Sequence, residues 1–293
     1  MKNGFLLIDK EEKVFTQDLD REIRHLFHQK KVGHLGTLDP FATGLVILGL
    51  GEATKLFPLL ENGWKQYTAT LTLGADTDTL DYTGKVIETR EIRPFTEADV
   101  RQVLVSFLGK SRQVPPKYSA VHIDGKRAYE LAYQGKDFTL PTKEIEVRSI
   151  ELVSLKGNDI TFRCEVSKGT YIRSLAKDIA FRLFQNLGHL SFLRRTAIGP
   201  YKVDDAIPLE RVDGSNVLDM VSFLGYPNII VDEDSLLKKI RNGNEVRIEN
   251  IDSPYVFFSN QETPLALYRR KEENIYTCYK GFHYETKPER QDR

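Results

Sequence analysis

The chain has 293 residues, 40% of them hydrophobic, with 42 Lys and Arg balancing 42 Asp and Glu, and two cysteines. That length suits one large domain, or a large and a small one, and no apolar run approaches the length needed to span a bilayer. The opening Met1-Lys2-Asn3-Gly4 lacks the apolar core of a secretory leader, and Cys164 and Cys278 match no ligand spacing and read as buried small hydrophobes, so a reducing cytoplasm is the expected setting.

Gly4 to Lys10 reads as a short buried strand, and Asp18 to Gln29 as a helix with Leu19, Ile23, Leu26 and Phe27 on one face. Lys30 to Gly44 reads as a loop. Gly33, Gly36 and Gly44 permit turns, and Pro40 holds Asp39 extended. The apolar run Leu45-Val46-Ile47-Leu48 follows as a buried strand. One carboxylate, Asp39, therefore sits beside a rigid element, with cations and His34 just upstream. Glu52 to Leu60 is a short helix interrupted near Pro58.

Gln66 to Leu73 is the clearest strand, with Tyr67, Ala69, Leu71 and Leu73 alternating with polar residues. The polar loop Gly74 to Gly84 holds Asp76, Asp78 and Asp81. It lacks the central glycine and closing glutamate of a calcium loop, so no metal is expected there. A helix runs from Thr96 to Leu108, capped by Thr96 and stopped by Gly109, with Val100, Val103, Leu104 and Phe107 on one face. Arg112 to Leu140 is broken by Pro115-Pro116 and glycines. It mixes Arg112, Lys117, Lys126, Arg127 and Lys136 with Tyr118, His122, Tyr129 and Tyr133, the composition of a mobile arm that closes on nucleic acid.

Glu144 to Val153 and Ile160 to Val166 read as strands paired around Gly157-Asn158. Lys168-Gly169-Thr170 caps a long helix, Tyr171 to Asn186, whose core face is Ile172, Leu175, Ile179 and Leu183, leaving Arg173 free. His189 to Ile198 is a strand carrying Arg194 and Arg195, and Leu209 begins a less regular section. From about Ile229, short strands such as Tyr255 to Phe258 and Leu265 to Tyr268 mark a small β domain of roughly 50 residues. A charged tail follows Phe282.

The zero net charge hides a basic middle. Residues 107–200 carry 16 Lys and Arg against 9 Asp and Glu, whereas residues 201–293 carry 13 against 17. A basic region confined in this way is the pattern of a polyanion-binding face.

Asp39, Tyr67 and Arg173 each sit at the edge of, or inside, a predicted rigid element. If they converge, Arg173 keeps Asp39 ionised by Coulombic attraction and hydrogen bonding, helped by the positive end of its helix. A held, ionised carboxylate serves as nucleophile or base. No second carboxylate has an evident claim to pair with it, which argues against a two-carboxylate glycosidase.

These residues resemble the motifs of the TruB family, the bacterial tRNA pseudouridine-55 synthases. Gly33-His34-Leu35-Gly36-Thr37-Leu38-Asp39-Pro40-Phe41-Ala42-Thr43-Gly44 is similar to the family's signature loop around its catalytic aspartate. Lys65-Gln66-Tyr67, Leu73-Gly74 and Thr77-Asp78-Thr79-Leu80-Asp81 with Gly84 resemble its second motif. Val114 to Ala120 with Gly125 to Ala132 resembles its RNA-clamping insertion. Ser167 to Arg173 and Leu193-Arg194-Arg195-Thr196 complete a set that runs in order from about residue 4 to 210.

The resemblance implies an α+β fold: a mixed, mostly antiparallel central sheet flanked by helices, with a cleft. It implies a catalytic domain over 1–228 with the insertion at about 110–142, then a small β RNA-binding-like domain and charged tail over 229–293. The implied reaction converts uridine to pseudouridine in the T-arm of tRNA, with no cofactor, no metal, no membrane and no protein partner. Asp39 would be the essential carboxylate, attacking C1′ or C6 or removing a ribose proton. Tyr67 would stack on the flipped uracil and Arg173 would pair with Asp39. His34 would enter the space near the extruded nucleotide, Tyr171 and Leu193 would line the uracil pocket, and Lys117, Lys126 and Arg127 would hold the RNA. Extruding a base costs a few kcal/mol, which phosphate contacts and stacking offset. The chain departs from the family at Lys10-Glu11-Glu12-Lys13, where two negative charges replace a proline-containing turn. The competing readings are a non-catalytic tRNA-binding or RNA-folding protein on the same fold and, far weaker, a metal-dependent hydrolase built on Asp76, Asp78 and Asp81.

Overall fold

The computed structural model describes residues 2–283, so the charged tail expected after Phe282 lies outside the described residues except for His283. Strand β1 (Gly4–Lys10) leads through helix α1 (Thr16–Leu26) to β2 (Val32–Leu35) and β3 (Thr43–Leu50). The apolar runs of β1 and β3 do not alternate because both faces are covered. Leu6, Ile8, Val46 and Leu48 enter one core cluster, and Phe5, Leu7, Leu45 and Ile47 enter another. A strand buried on both sides has no polar face to show. α1 is shorter than its periodicity predicts: it ends at Leu26, which is exposed, and His28 turns left-handed at φ 49°. The stretch read wholly as loop contains β2, which pairs with Ile47–Leu50. Its two central residues, Gly33 and His34, supply neither apolar alternation nor β-branching, so four residues of strand left no periodic mark.

A 3-10 turn (Gly51–Leu56) runs into α2 (Phe57–Leu60), where Pro58 sits in the first turn and its missing N–H is harmless. β4 (Lys65–Leu73) buries Tyr67, Ala69, Leu71 and Leu73 as the alternation predicts. β5 (Ala75–Thr77) and β6 (Val86–Thr89) form a small hairpin. Thr96 and Asp99 cap α3 (Glu97–Val105) reciprocally. The basic arm lies between β7 (Gly109–Gln113) and β10 (Lys143–Lys156). It holds a two-residue ladder, β8 (His122–Ile123) with β9 (Lys126–Arg127), and the short helix α4 (Ala128–Tyr133). β11 (Asp159–Val166), α5 (Ile172–Arg182), β12 (Gly188–Ile198), β13 (Tyr201–Lys202) and α6 (Met220–Leu224) follow. α5 stops short of Asn186 because Phe184 and Gln185 both take left-handed backbone, at φ 55° and 60°.

These strands form one nine-stranded sheet in the order β1-β3-β12-β4-β11-β10-β7, with β2 attached to β3 and β13 to β12. Its pairings are antiparallel except where β12 runs parallel to β3. Helices α1, α3 and α5 cover one face through Leu19, Leu104 and Leu175. The second edge of β3 is shared. β2 takes Ile47–Leu50, and β12 takes Thr43–Gly44 opposite Arg194–Arg195. The segment carrying Asp39 fills the fork between them. Gly44 makes the fork possible: a Cβ there would lie 2.2 Å from the Arg195 carbonyl oxygen, on backbone at φ +105°.

The C-terminal part contains β14 (Asn228–Ile230), α7 (Asp234–Arg241), β15 (Val246–Arg247), β16 (Tyr255–Asn260), β17 (Thr263–Glu272) and β18 (Ile275–Gly281). It forms a five-stranded sheet in the order β14-β16-β17-β18-β15. One side buries Val256, Phe258, Tyr268 and Tyr276 in its own core. The other presents Phe257, Leu267 and Phe282 to the core cluster shared with Phe5 and Ile47. The architecture is α+β, with a mixed, mostly antiparallel central sheet and a small second sheet. Among the described residues no helix is long and apolar enough to cross a membrane.

A polar clasp closes the seam between the two sheets. Buried Glu52 accepts from Lys31 Nζ at 2.7 Å, from Lys55 Nζ at 2.6 Å and from the His283 N–H at 2.9 Å. Burial alone would raise its carboxyl, but these bonds hold it down at about 2. Its folded value is thus below the unfolded value of 4.5, so the stabilisation is complete above that value and is lost as pH falls toward 2. Glu52→Gln is expected to cost about 2 kcal/mol at pH 7 in chemical denaturation, and the gap to the parent closes as pH falls through that window.

Candidate active site

Asp39 is fixed from several sides. The Thr16 hydroxyl accepts from the Leu38 N–H at 3.1 Å and donates to the Leu38 carbonyl at 3.0 Å. The Ala42 N–H donates to the Asp39 carbonyl at 3.0 Å, and Lys10 Nζ, from β1, reaches the Pro40 carbonyl at 3.2 Å. The loop therefore has little freedom, although it contains no regular structure.

Arg173, in the first turn of α5, meets that loop across 134 residues of sequence. Its Nη2 donates to Asp39 Oδ1 at 2.8 Å and to the Tyr118 carbonyl at 3.0 Å, and its Nη1 donates to the Thr79 carbonyl at 2.8 Å. Nη1 also lies 3.7 Å from Asp81 Oδ2. Arg173 is 4% exposed, whereas the Asp39 side chain keeps 35% of its surface open. The pair is thus closed on the guanidinium side and open on the carboxylate side. Burial pushes the Asp39 carboxyl above its ordinary value. Arg173 and Lys10 pull it back and Asp81 pushes it further up. A carboxylate poised this way is a base or nucleophile that a ligand can reach.

Tyr67 projects from β4 into the same apolar cluster as Leu38, Phe41 and Leu193. Burial raises its hydroxyl, against the pull of the Arg195 guanidinium, and the charge on Asp39 adds to the rise. Tyr171, half-buried, occupies the N-cap of α5. Its backbone is clasped by Gln113, which accepts from the Tyr171 N–H at 2.8 Å and donates to its carbonyl at 3.1 Å. His34, on β2, bonds Asp20 Oδ2 through Nδ1 at 2.8 Å and the Thr37 hydroxyl through Nε2 at 3.1 Å. An ionised carboxylate only accepts, so Nδ1 carries a proton and the ring is held in place by Asp20.

Asp39, Tyr67, Tyr171, Arg173 and Leu193 therefore share one locality, and His34 stands beside it on the strand that feeds the loop. Lys117, Lys126 and Arg127 do not join them: all three are exposed on the arm. The arm's root is tied to α5, since Ser174 Oγ donates to the Val114 carbonyl at 2.8 Å in addition to the Gln113 and Tyr118 contacts. Glu11 and Glu12 are exposed, and Glu12 accepts from the Tyr82 hydroxyl, whose ring meets Phe41 edge-on. The three aspartates of the polar loop go separate ways. Asp76 pairs with Lys177 at 2.6 Å, Asp78 accepts from the Lys85 N–H at 2.8 Å, and Asp81 accepts from the Thr79 hydroxyl and the Thr83 N–H.

Three residues of this site went unrecognised in the sequence. Asp81 is the second carboxylate that seemed to be missing, placed behind Arg173 rather than across a gap from Asp39. Asp20, inside the expected helix but not singled out there, orients His34. Arg195 was noted as part of a motif but not as a site residue. It lies buried behind Tyr67 and donates to the carbonyls of Leu45 and Gly36 at 2.8 Å each. Its signal was a basic residue at an inward position of a strand.

The fold is that of the pseudouridine synthases. It is shared with the crystal structure of a Cbf5–Nop10–Gar1 complex (TM-score 0.68, 24% identity, 96% of this chain and 85% of that one). An H/ACA RNP bound to a substrate RNA containing 2′-deoxyuridine matches similarly (TM-score 0.67, 22% identity, 96% and 85%). The sequence model of the TruB family pseudouridylate synthase N-terminal domain matches residues 24–172. A tRNA pseudouridine synthase B from Onion yellows phytoplasma is 38% identical over 94% of this chain and 98% of its own length. That of Geobacter sulfurreducens is 42% identical over 75% and 73%, and that of Thermotoga maritima 36% identical over 85% and 81%. The chain belongs to the TruB family of pseudouridylate synthases.

Replacing Arg173 tests the electrostatic core of the site. Arg173→Met strands two carboxylates and two carbonyls, and it is expected to lower unfolding free energy by about 3 kcal/mol in denaturant titrations at pH 7.

Proposed function

We propose that this protein isomerises uridine 55 in the T-loop of tRNA to pseudouridine, with Asp39 as the essential carboxylate. The observation that carries this reading is the Asp39–Arg173 pair at 2.8 Å, open only on the carboxylate side, with Asp39 inside the stretch matched by the family and Arg173 one residue beyond its end. The relatives' printed activity and their alignment over as much as 94% of the chain support it. The reaction conserves atoms. The bond from N1 to C1′ breaks, the uracil turns, C5 joins C1′, the C5 proton leaves and N1 gains one. Attack at C1′, attack at C6 and removal of a ribose proton all begin from ionised Asp39, which is the form that Arg173 favours.

In this reading Tyr67 lies under the extruded uracil. Tyr171 and Leu193 form the pocket walls. His34, oriented by Asp20, enters the space near the extruded nucleotide. Residues 1–228 are the catalytic domain and 229–293 a second, RNA-contacting domain, whose α7 carries Lys238, Lys239 and Arg241 in its last turn. The arm at about 110–142 closes over the T-arm from the cytoplasmic pool of tRNA. Lys117, Lys126 and Arg127 supply phosphate contacts, and Tyr133 meets Tyr118 and Tyr129 edge-on within the arm.

The deciding experiment maps pseudouridine in unmodified tRNA exposed to the protein. The parent is expected to convert one T-loop uridine, and Asp39→Asn to convert none while binding tRNA with similar affinity. A purely RNA-folding protein would bind without conversion in both cases. Because burial lifts Asp39 and the ionised form is needed, kcat/KM is expected to fall with acid at a pH above the ordinary carboxyl value of 3.8. Arg173→Met moves that fall to higher pH, since removing the cation disfavours the charged form.

Neutralising Lys117, Lys126 and Arg127 together is expected to weaken tRNA binding and to flatten the dependence of log Kd on log salt by about two units. An unchanged slope would exclude the arm from the interface.

A further inference from the structure

Three cations lie beneath the segment Gly36–Asp39 without a carboxylate ion pair among the described residues. Lys10 Nζ, 1% exposed, donates to the carbonyls of Glu11 and Val14 at 2.8 Å each and of Pro40 at 3.2 Å. Arg195, equally buried, donates to the carbonyls of Leu45 and Gly36. Lys65, half-buried at the start of β4, makes no ion pair or side-chain hydrogen bond among the described residues. The anions nearby are committed elsewhere: Asp39 to Arg173, and Glu61 to Lys168.

Gly36 marks where two of these charges, Lys65 and Arg195, meet. A methyl group on it would lie 3.3 Å from Lys65 Nζ and 3.4 Å from an Arg195 guanidinium nitrogen. Burial, then the charges of Arg195 and Lys168, push the Lys65 ammonium down to about 8, and Glu61 offsets them only in part. Holding an unpaired cation against a buried guanidinium is unfavourable in the free protein. Such a strained charge is a site prepared for an anion.

We propose that Lys65, backed by the Arg195 charge and admitted by the bare backbone of Gly36, is the seat of an RNA phosphodiester oxygen next to the extruded nucleotide. The proposal rests on the RNA-modifying reading above and specifies which backbone contact anchors the target. Residues 65 and 67 lie on one face of β4, about 7 Å apart. A nucleotide whose base lies against Tyr67 therefore brings its own backbone phosphate within reach of Lys65. The contact grips the nucleotide itself, whereas Lys117, Lys126 and Arg127 on the arm grip its surroundings.

The test uses the full-length protein and T-arm stem-loops that carry a single uncharged methylphosphonate at each loop linkage in turn. Lys65→Met is expected to raise Kd about tenfold and to reduce the salt slope by about one unit, with Lys65→Arg restoring most of the affinity. One methylphosphonate flanking the target uridine should weaken the parent by a similar factor and leave Lys65→Met no weaker. Because an unpaired charge is removed, the melting temperature of Lys65→Met should stay the same or rise. Inorganic phosphate at the millimolar level should compete no better against the parent than against Lys65→Met if the seat belongs to the RNA chain rather than to free phosphate. A lower melting temperature, or a methylphosphonate effect equal in parent and variant at every linkage, overturns the proposal. Should Lys65→Met not fold, Lys65→Gln takes its place in the same cycle. If the parent converts no uridine in tRNA, the functional reading itself fails, and that outcome is separate from the ones above.

Discussion

The site depends on one ion pair between segments that share no local structure. Asp39 sits in an irregular loop and Arg173 in the first turn of a helix, 134 residues later, and a single N–H···O contact of 2.8 Å joins them. The guanidinium does more than neutralise. It also bonds the carbonyls of Thr79 and Tyr118, so the polar loop after β4 and the root of the arm are gathered around the same group. Arg is the side chain able to do this, because its fork presents several donors in one plane while remaining charged. Asp39 takes its direction from that fork, from the sheet that frames the loop and from the Thr16 hydroxyl of α1.

The frame itself follows from a division of labour along β3. Its first edge is fully paired with β1, and its second is split between β2 and the parallel start of its pairing with β12. A loop placed in such a split is held at both ends by sheet and can remain irregular between them. That explains how a stretch with three glycines and a proline can still position a carboxylate. It also explains the only parallel pairing in the large sheet among the described residues: β12 must reach Gly44 to close the fork, and it carries Arg195 under the loop as it does so.

How much of this could be read beforehand varied with the kind of signal. The alternation of β4 and the apolar runs of β1 and β3 announced themselves, since burial imposes a period or removes one. β2 did not, because Gly33 and His34 carry no pattern and a four-residue strand gives little to count. The end of α5 was overestimated because Leu183 keeps the helical spacing, while the two left-handed residues after it are Phe and Gln, which carry no break signal. In the site, Asp39 and Arg173 were legible through their motifs. Asp81, Asp20 and Arg195 were not, since each looks like an ordinary polar residue of a loop, helix or strand. Only the tertiary neighbours, Arg173 for Asp81, His34 for Asp20 and Tyr67 for Arg195, turn them into parts of a mechanism.

The separation of the two halves of the ion pair also has a consequence during synthesis. At the roughly 5–20 residues per second of translation, Asp39 leaves the ribosome about 7 to 27 seconds before Arg173, and β12 emerges later still. Through that interval Asp39 has no guanidinium partner, and the β12 side of its frame is still missing. The site can therefore be assembled only late in synthesis, once Arg173 and β12 have both emerged to meet the loop.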